Sequence, residues 1–178
     1  DSGLTSRMTA SYVVGCDGAR SSVRQAMGVS MENLGFRQSW LVVDVLLYSE
    51  MPELGDHSVQ FCDAERPMTY CRSPKNRRRW EITMQAGESA GEMTDPDRVW
   101  QFLSRWITPD DAQIERSVVY TFESALAEKW RKDRLLLAGD AAHLTPPFMG
   151  QGMCSGVRDA ANLAWKLALT LKGRSASG

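Results

Sequence analysis

The sequence predicts a mixed α+β or α/β fold: a β-rich middle with helices on one face, flanked at both ends of the chain by strand–turn–helix segments. Three observations carry this prediction. Closely spaced apolar, β-branched runs fill residues 40–86 with no helical period between them, so neighbours there pair antiparallel or in a mixed sheet. Short apolar runs at 12–14 and 134–138 each lead into a glycine–aspartate turn. Two stretches, one opening at Asp95-Pro96 and one near Gly152, place apolar residues at helical spacing.

In chain order, Tyr12 to Val14 reads as a short strand running into Gly15-Cys16-Asp17-Gly18, and Ser21 to Met27 as a short helix ending at Gly28. Trp40 to Tyr48, with Asp44 its only charge, is a strand, followed by candidates at Ser58 to Cys62, Met68 to Arg72 and Trp80 to Ala86. Asp95 is an N-cap acceptor followed by proline at the first helical position; Val99, Phe102, Leu103, Trp106 and Ile107 share a face, and Thr108-Pro109 ends the helix. A strand over Arg116 to Phe122, a polar stretch from Glu128 to Asp133 and a buried strand over Arg134 to Ala138 follow. The last helix starts near Gly152; Ala160, Ala161, Ala164 and Ala168 give it a small-residue face suited to close packing, and the tail from Lys172 reads as frayed.

Charge and composition exclude several classes. The chain has 178 residues, 21 Lys and Arg against 22 Asp and Glu, and 43% hydrophobic residues, which is a folded chain with no global basic field for nucleic acid. The one dense basic cluster, Lys75 with Arg77, Arg78 and Arg79, reads as a solvated hairpin turn. Four cysteines without a C-x-x-C pair and two separate histidines signal neither a disulfide framework nor a metal site, and fit a reducing cytoplasm. No apolar run reaches membrane-span length, so no membrane partner is expected. The amino end has no initiating Met and enters mid-element, which suggests a piece of a longer protein.

Two constellations carry chemistry. In Gly15-Cys16-Asp17-Gly18-Ala19-Arg20-Ser21-Ser22-Val23-Arg24, a strand ends at a flexible turn with a carboxylate, hydroxyls and two arginines. That turn can hold phosphate or ribose, or Asp17 can simply cap the helix, and this segment alone does not decide. In the run from Gly139 to Met153, Asp140 can accept from a ribose diol, while Gly150 and Gly152 let a flat ligand approach the backbone at a helix start. His143 is read as structural rather than as a base. Cys154 lies inside the final helix with no protease signature around it, and Gly152-Met153-Cys154-Ser155-Gly156 is not a nucleophile elbow.

These residues resemble the class A flavoprotein aromatic monooxygenases, whose representative fold is that of p-hydroxybenzoate hydroxylase. GCDGARSSVR at 15–24 is similar to that family's second FAD/NAD(P)H fingerprint, and RLLLAGDAAHLTPPFMGQGMCSGVRDAANLAWKL at 134–167 to its third. Within the family, WLVVDV at 40–45 and the run from Pro146 resemble the 3-(3-hydroxyphenyl)propionate hydroxylases most. The amino-terminal G-x-G-x-x-G fingerprint is absent from the sequence. The resemblance implies a partial FAD-binding domain, in segments 1–30 and 123–178, flanking a β-rich mixed-sheet substrate domain at 31–122. It implies that Asp140 binds a ribitol or ribose hydroxyl, that Asp17 and Gly18 lie near the pyrophosphate, and that Arg20 and Arg24 order that turn or meet the nicotinamide cofactor's phosphates. Gly150, Gln151, Gly152 and Met153 would meet the flavin N1/O2 edge, with Pro146 and Pro147 beneath the ring.

The implied reaction is reduction of FAD by NADH or NADPH, capture of dioxygen as the flavin C4a-hydroperoxide and hydroxylation of a phenolic acid. Trp40, Tyr70, Arg72, Trp80 and Tyr120 are the candidates for the substrate pocket, and no acid or base is named. Two alternatives stay open: a non-catalytic piece with weak or no FAD binding, and a related flavoprotein with a non-aromatic substrate. Without the amino-terminal unit an unpaired sheet edge is expected, favouring little bound flavin and a homodimer.

Overall fold

A computed structural model describes residues 5–147 and 150–175 of the chain. The chain divides into two compact units, one made of residues 1–36 with 123–178 and the other of residues 37–122. In the first unit, β1 (Val13–Gly15) and β8 (Leu135–Leu137) run parallel, Val13 opposite Leu135 and Gly15 opposite Leu137, while β7 (Arg131–Lys132) pairs antiparallel with β8. Parallel neighbours need a long crossover, and 119 residues lie between Gly15 and Leu135 on the chain. Val14 and Gly15 therefore meet their partners only after the whole second unit has been threaded. Helix α1 (Ser22–Met27) follows β1; Ser21 caps it, its Oγ accepting from the Arg24 amide, and Gly28 closes it at φ 64°. Met27, Ala127, Leu137, Ala141 and Ala142 make a small core here.

The second unit is built on a sheet whose strand order is β3-β4-β5-β2-β6, from β2 (Met31–Leu47), β3 (Val59–Phe61), β4 (Met68–Arg72), β5 (Arg77–Thr83) and β6 (Ala112–Ala127). The register between β2 and β5 sets Leu41 opposite Ile82, Val43 opposite Trp80 and Val45 opposite Arg78. Side chains alternate along a strand, so Leu41, Val43, Val45 and Leu47 share a face with Tyr70, Trp80 and Ile82. Met93 of α2 (Ala90–Thr94), Val99 and Leu103 of α3 (Pro96–Leu103) and Ile107 pack on that same face, so both helices lie on one side of the sheet. Trp40, Val42, Asp44, Arg79, Glu81 and Thr83 belong to the opposite face.

Asp95 caps α3 as expected, its carboxylate accepting from the amides of Asp97 and Arg98. The sequence reading missed α2, although Ser89 and Glu92 form a capping box there, the S-x-x-E spacing that marks a helix start. It also cut β2 and β6 short. Residues 31–39 of β2 are partly or fully exposed, and the ends of β6 mix buried alanines with polar residues, so neither shows the apolar run that marks a buried strand.

The first unit also holds β9 (His143–Leu144), paired antiparallel with the end of β6, and α4 (Gly152–Leu171). The alanine face of α4 does not pack as expected. None of its 20 residues is fully buried, and Ala160, Ala161, Ala164 and Ala168 are exposed together with Val157 and Trp165. The helix instead turns Gly156, Asp159, Leu163 and Leu167 inward, leaving a cleft of about 200 Å³ lined by Tyr12, Leu136, Leu163 and Leu167. Its end is not frayed at Lys172. The Gly173 amide donates to Thr170 and that of Arg174 to Leu169, with Gly173 at φ 63°, a glycine-closed terminus. Residues 176–178 of that predicted tail lie outside the described residues.

Candidate functional site

Both glycine–aspartate turns leave the sheet of the first unit at the same end, because β1 and β8 are adjacent and parallel, and the Ala138 amide extends the ladder to the Gly15 carbonyl (3.0 Å). In α/β sheets this carboxyl end of neighbouring strands is where ligands bind. Gly15 is required by packing: a Cβ there would lie 2.7 Å from the Val23 Cβ, so only glycine lets α1 close onto β1. At the second turn the Gly139 and Gly156 backbones meet, a Cβ on Gly156 falling 3.4 Å from the Gly139 Cα.

The two aspartates have different duties. Asp17 Oδ1 accepts from the Ser21 hydroxyl (2.5 Å) and Oδ2 from the amides of Ser22 (2.7 Å) and Val23 (3.2 Å). These bonds, the Ser21 hydroxyl foremost, hold its carboxyl below the usual carboxylate range, and make it the cap of α1. Asp140 is exposed and has no hydrogen bond or ion pair to the described residues, so its oxygens are open to solvent. Gly18 stands at φ 81° in the first turn, and Arg20 is exposed with no partner among the described residues.

Arg24 is buried, and ties the turns together: Nη1 donates to the Ala141 carbonyl (2.8 Å) and Nη2 to the Ala19 carbonyl (2.6 Å). Of its two predicted roles, ordering the Asp17 turn is the one its bonds serve. A second clamp was not legible in the sequence. Asp159 Oδ2 accepts from the Gly139 amide (2.8 Å) and pairs with His143 Nε2 (2.6 Å), whose ring stacks on Trp130 with centroids 5.3 Å apart. His143 is 7% exposed, so it fastens α4 to the Asp140 turn rather than facing solvent as a base. The missed signal was Asp159 itself, 20 residues after Gly139 but three residues, one helical turn, beyond the Gly156 that touches it.

At the start of α4, the N-cap residue Gln151 makes no side-chain cap among the described residues, and its Oε1 is met by Arg158 at 3.5 Å. Gly150 has φ 61° and open space where a Cβ would sit, while beside Gly152 the nearest atom is the Thr145 hydroxyl at 3.7 Å. Met153 is 80% exposed and Pro147 partly buried; Phe148 and Met149 lie outside the described residues. Uncapped first-turn amides beside two bare glycines suit a flat, electron-rich ligand edge.

The residues expected to meet substrate do not share one surface. Tyr70 and Trp80 are core residues, 3% and 0% exposed with rings 5.1 Å apart, on the face that packs against α2 and α3. Arg72 ends β4 and pairs with Asp56 (3.1 Å). Trp40 lies buried on the opposite face. There Arg79 and Arg116 both donate to Asp44 (2.7 and 2.8 Å), and Arg116 also reaches the Tyr120 hydroxyl (3.2 Å). Burial alone would raise the Asp44 carboxyl, but the two guanidiniums outweigh it and hold it low. Burial raises Glu81 and Cys71 on the same face. Among the described residues no group of three or more His, Cys, Asp or Glu could hold a metal, and no helix is long and apolar enough to cross a membrane.

Comparison with known proteins gives the family of the chain. The chain belongs to the FAD binding domain family, whose model matches residues 1–178. It is 43% identical over 164 residues to the "Probable NADH-specific resorcinol 4-hydroxylase" of Rhodococcus jostii (strain RHA1), covering 92% of this chain and 31% of that protein. It is 44% identical over 169 residues to the 3-(3-hydroxy-phenyl)propionate/3-hydroxycinnamic acid hydroxylase of Mycobacterium avium (strain 104), covering 94% and 29%. Among solved structures, aklavinone-11 hydroxylase in complex with FAD and aklavinone superposes with a TM-score of 0.81 at 27% identity, over 94% of this chain and 32% of that one. The p-nitrophenol 4-monooxygenase of Pseudomonas putida DLL-E4 gives 0.79 at 25% identity, over 93% and 42%. The chain thus spans about a third of the length of the curated relatives it matches.

Proposed function

We propose that this chain supplies the ribityl and flavin-edge portion of the FAD cradle of an aromatic hydroxylase. The observation that carries the reading is Asp140: a carboxylate without a protein partner, at the carboxyl end of paired parallel strands, held by the Arg24 and His143–Asp159 clamps beside the uncapped start of α4. Asp140 accepts a hydroxyl of the ribityl chain. Gly150 and Gly152, bare of side chains, admit the flavin ring to the backbone, and the first-turn amides at Gly152 and Met153 favour negative charge on its N1/O2 edge. Arg20 is the exposed cation available to the pyrophosphate, while Asp17 and Gly18 shape the turn that carries it. Bound FAD supplies the redox chemistry, taking reducing equivalents from NADH or NADPH and activating dioxygen.

For the whole protein we propose hydroxylation of a phenolic aromatic acid such as 3-(3-hydroxyphenyl)propionate, supported by the relatives' names, with NADH favoured by the name of the Rhodococcus relative. Tyr120 remains the exposed candidate for the substrate surface, since Trp40, Tyr70 and Trp80 are all buried and Arg72 is paired with Asp56. Domain segments 1–30, 31–122 and 123–178, a cytoplasmic setting and a homodimer belong to the same proposal. The test is titration of the purified chain with FAD, followed by flavin fluorescence and absorbance. Saturable binding that Asp140→Ala weakens is expected; absence of saturable binding, or equal binding by the variant, overturns the assignment.

A further inference from the structure

Three consecutive arginines on β5 differ in what they meet. Arg77 forms a two-pronged pair with Glu115 (2.8 and 2.8 Å), and Arg79 pairs with Asp44 (2.7 Å). Arg78, on the other face of the strand, is 6% exposed and has no carboxylate within ion-pair distance among the described residues. Its Nη1 donates to the carbonyls of Lys75 (2.9 Å) and Arg77 (2.7 Å), and its Nε is sealed from solvent without an acceptor. A guanidinium keeps its charge in any such setting, and a buried charge met only by neutral carbonyls carries a large desolvation penalty. Its neighbour, the Tyr70 hydroxyl, is likewise buried and has Arg78 beside it as its polar contact. Burial holds the Tyr70 proton above the ordinary phenol range, against the pull of Arg78, so the phenol is neutral and offers no counter-charge.

Arg78 lines a cavity of about 220 Å³ at the β4–β5 hairpin together with Arg72, Lys75 and Asn76. Lys75 is exposed, carries no ion pair and sits at φ 60°, in the left-handed region that a lysine seldom occupies. The Asn76 amide reaches the Leu47 carbonyl only at 3.5 Å, so it can turn to a better acceptor. Two carboxylates also line the cavity. Asp56 has a side chain 98% exposed and engages Arg72, while Glu50 forms no ion pair.

We propose that this cavity is an oxyanion site that takes the phosphate group of a small molecule, with Arg78 as its buried charge and Arg72, Lys75 and Asn76 as donors around it. Phosphate accepts from guanidinium, ammonium and amide donors at once, and the missing counter-charge of Arg78 is what the anion supplies. The site lies within residues 37–122 and is independent of the cradle proposed above.

The test is titration of the 15N-labelled chain with inorganic phosphate, reading the Arg78 Nε–Hε resonance and the thermal midpoint. A saturable shift of that resonance and a raised midpoint are expected, with affinity at least about tenfold weaker in Arg78→Met and unchanged in Arg77→Met, whose side chain is on the opposite face. Should Arg78→Met fail to fold, the exposed pair Arg72→Ala and Lys75→Ala is expected to weaken binding by at least about threefold. Adenosine 5′-monophosphate run beside inorganic phosphate separates an ester from the free ion, and binding of either supports the site. Acetate binding in place of phosphate, no response to either inorganic phosphate or adenosine 5′-monophosphate at about 50 mM, or binding undiminished in every variant that folds overturns the proposal.

Discussion

Asp17 and Asp140 follow the ends of two adjacent strands, and the difference between them is what their neighbours donate. Ser21, Ser22 and Val23 fill the oxygens of Asp17, whereas nothing among the described residues fills those of Asp140. Asp140→Ala is therefore expected to weaken FAD about tenfold in a fluorescence titration while leaving the unfolding midpoint unchanged, and Asp17→Ala to lower the midpoint by uncapping α1. Asp159 is the reverse of Asp140, a carboxylate shared by the Gly139 amide and His143. Its replacement by Ala leaves both groups unpaired, at a cost of about 2–3 kcal/mol, measurable by urea unfolding.

Glu88 gives a pH signature at the same scale. Arg66 binds both of its oxygens (2.6 and 3.0 Å), the Gln85 amide adds a third bond, and its carboxyl is lowered to about 2. A lowered carboxyl stabilises the fold above its unfolded value and loses that contribution as pH falls. Stability is thus expected to decline from near pH 5 toward pH 2, and Glu88→Gln to flatten that decline in acid titrations followed by circular dichroism.

At the scale of elements, two glycines test how closely helices approach. Gly15→Ala drives a Cβ to 2.7 Å from Val23 and forces α1 away from β1, costing about 2 kcal/mol or more. Gly156→Ala meets its nearest atom at 3.4 Å, ordinary contact, and gains helix propensity within α4, so thermal unfolding is expected to be unchanged or slightly raised. The hairpin at 72–78 shows the same dependence on alternation. Read as a solvated basic turn, it instead sends Arg77 and Arg79 to carboxylates on one face and buries Arg78 on the other.

For the whole molecule, the two units differ in what holds them. The core of residues 37–122 contains Leu41, Val43, Trp80, Ile82, Val99 and Leu103 among others, whereas that of the first unit rests on Met27, Leu137 and three alanines. Local stability follows buried apolar area. Hydrogen exchange is expected to be slowest in β2, β4 and β5 and fast along α4, which buries no residue, and added FAD is expected to slow exchange at 139–142 and the start of α4. Equal protection of both units, or no effect of FAD on those segments, would contradict this distribution.

Local chemistry made part of this protein legible in sequence. Asp95-Pro96 announced α3, Gly28 the end of α1, and the apolar runs at 40–48 and 134–138 the strands, because caps, turns and apolar periods act over a few residues. The two glycine–aspartate turns were visible for the same reason. Tertiary structure alone decided which aspartate is free, that Arg24 reaches Ala141, 117 residues further along the chain, that His143 is held by Asp159, and that Tyr70 and Trp80 face the helices. Each of these depends on partners distant in the chain, and a side chain's duty is settled by the donors and charges that folding brings to it, which no local pattern encodes.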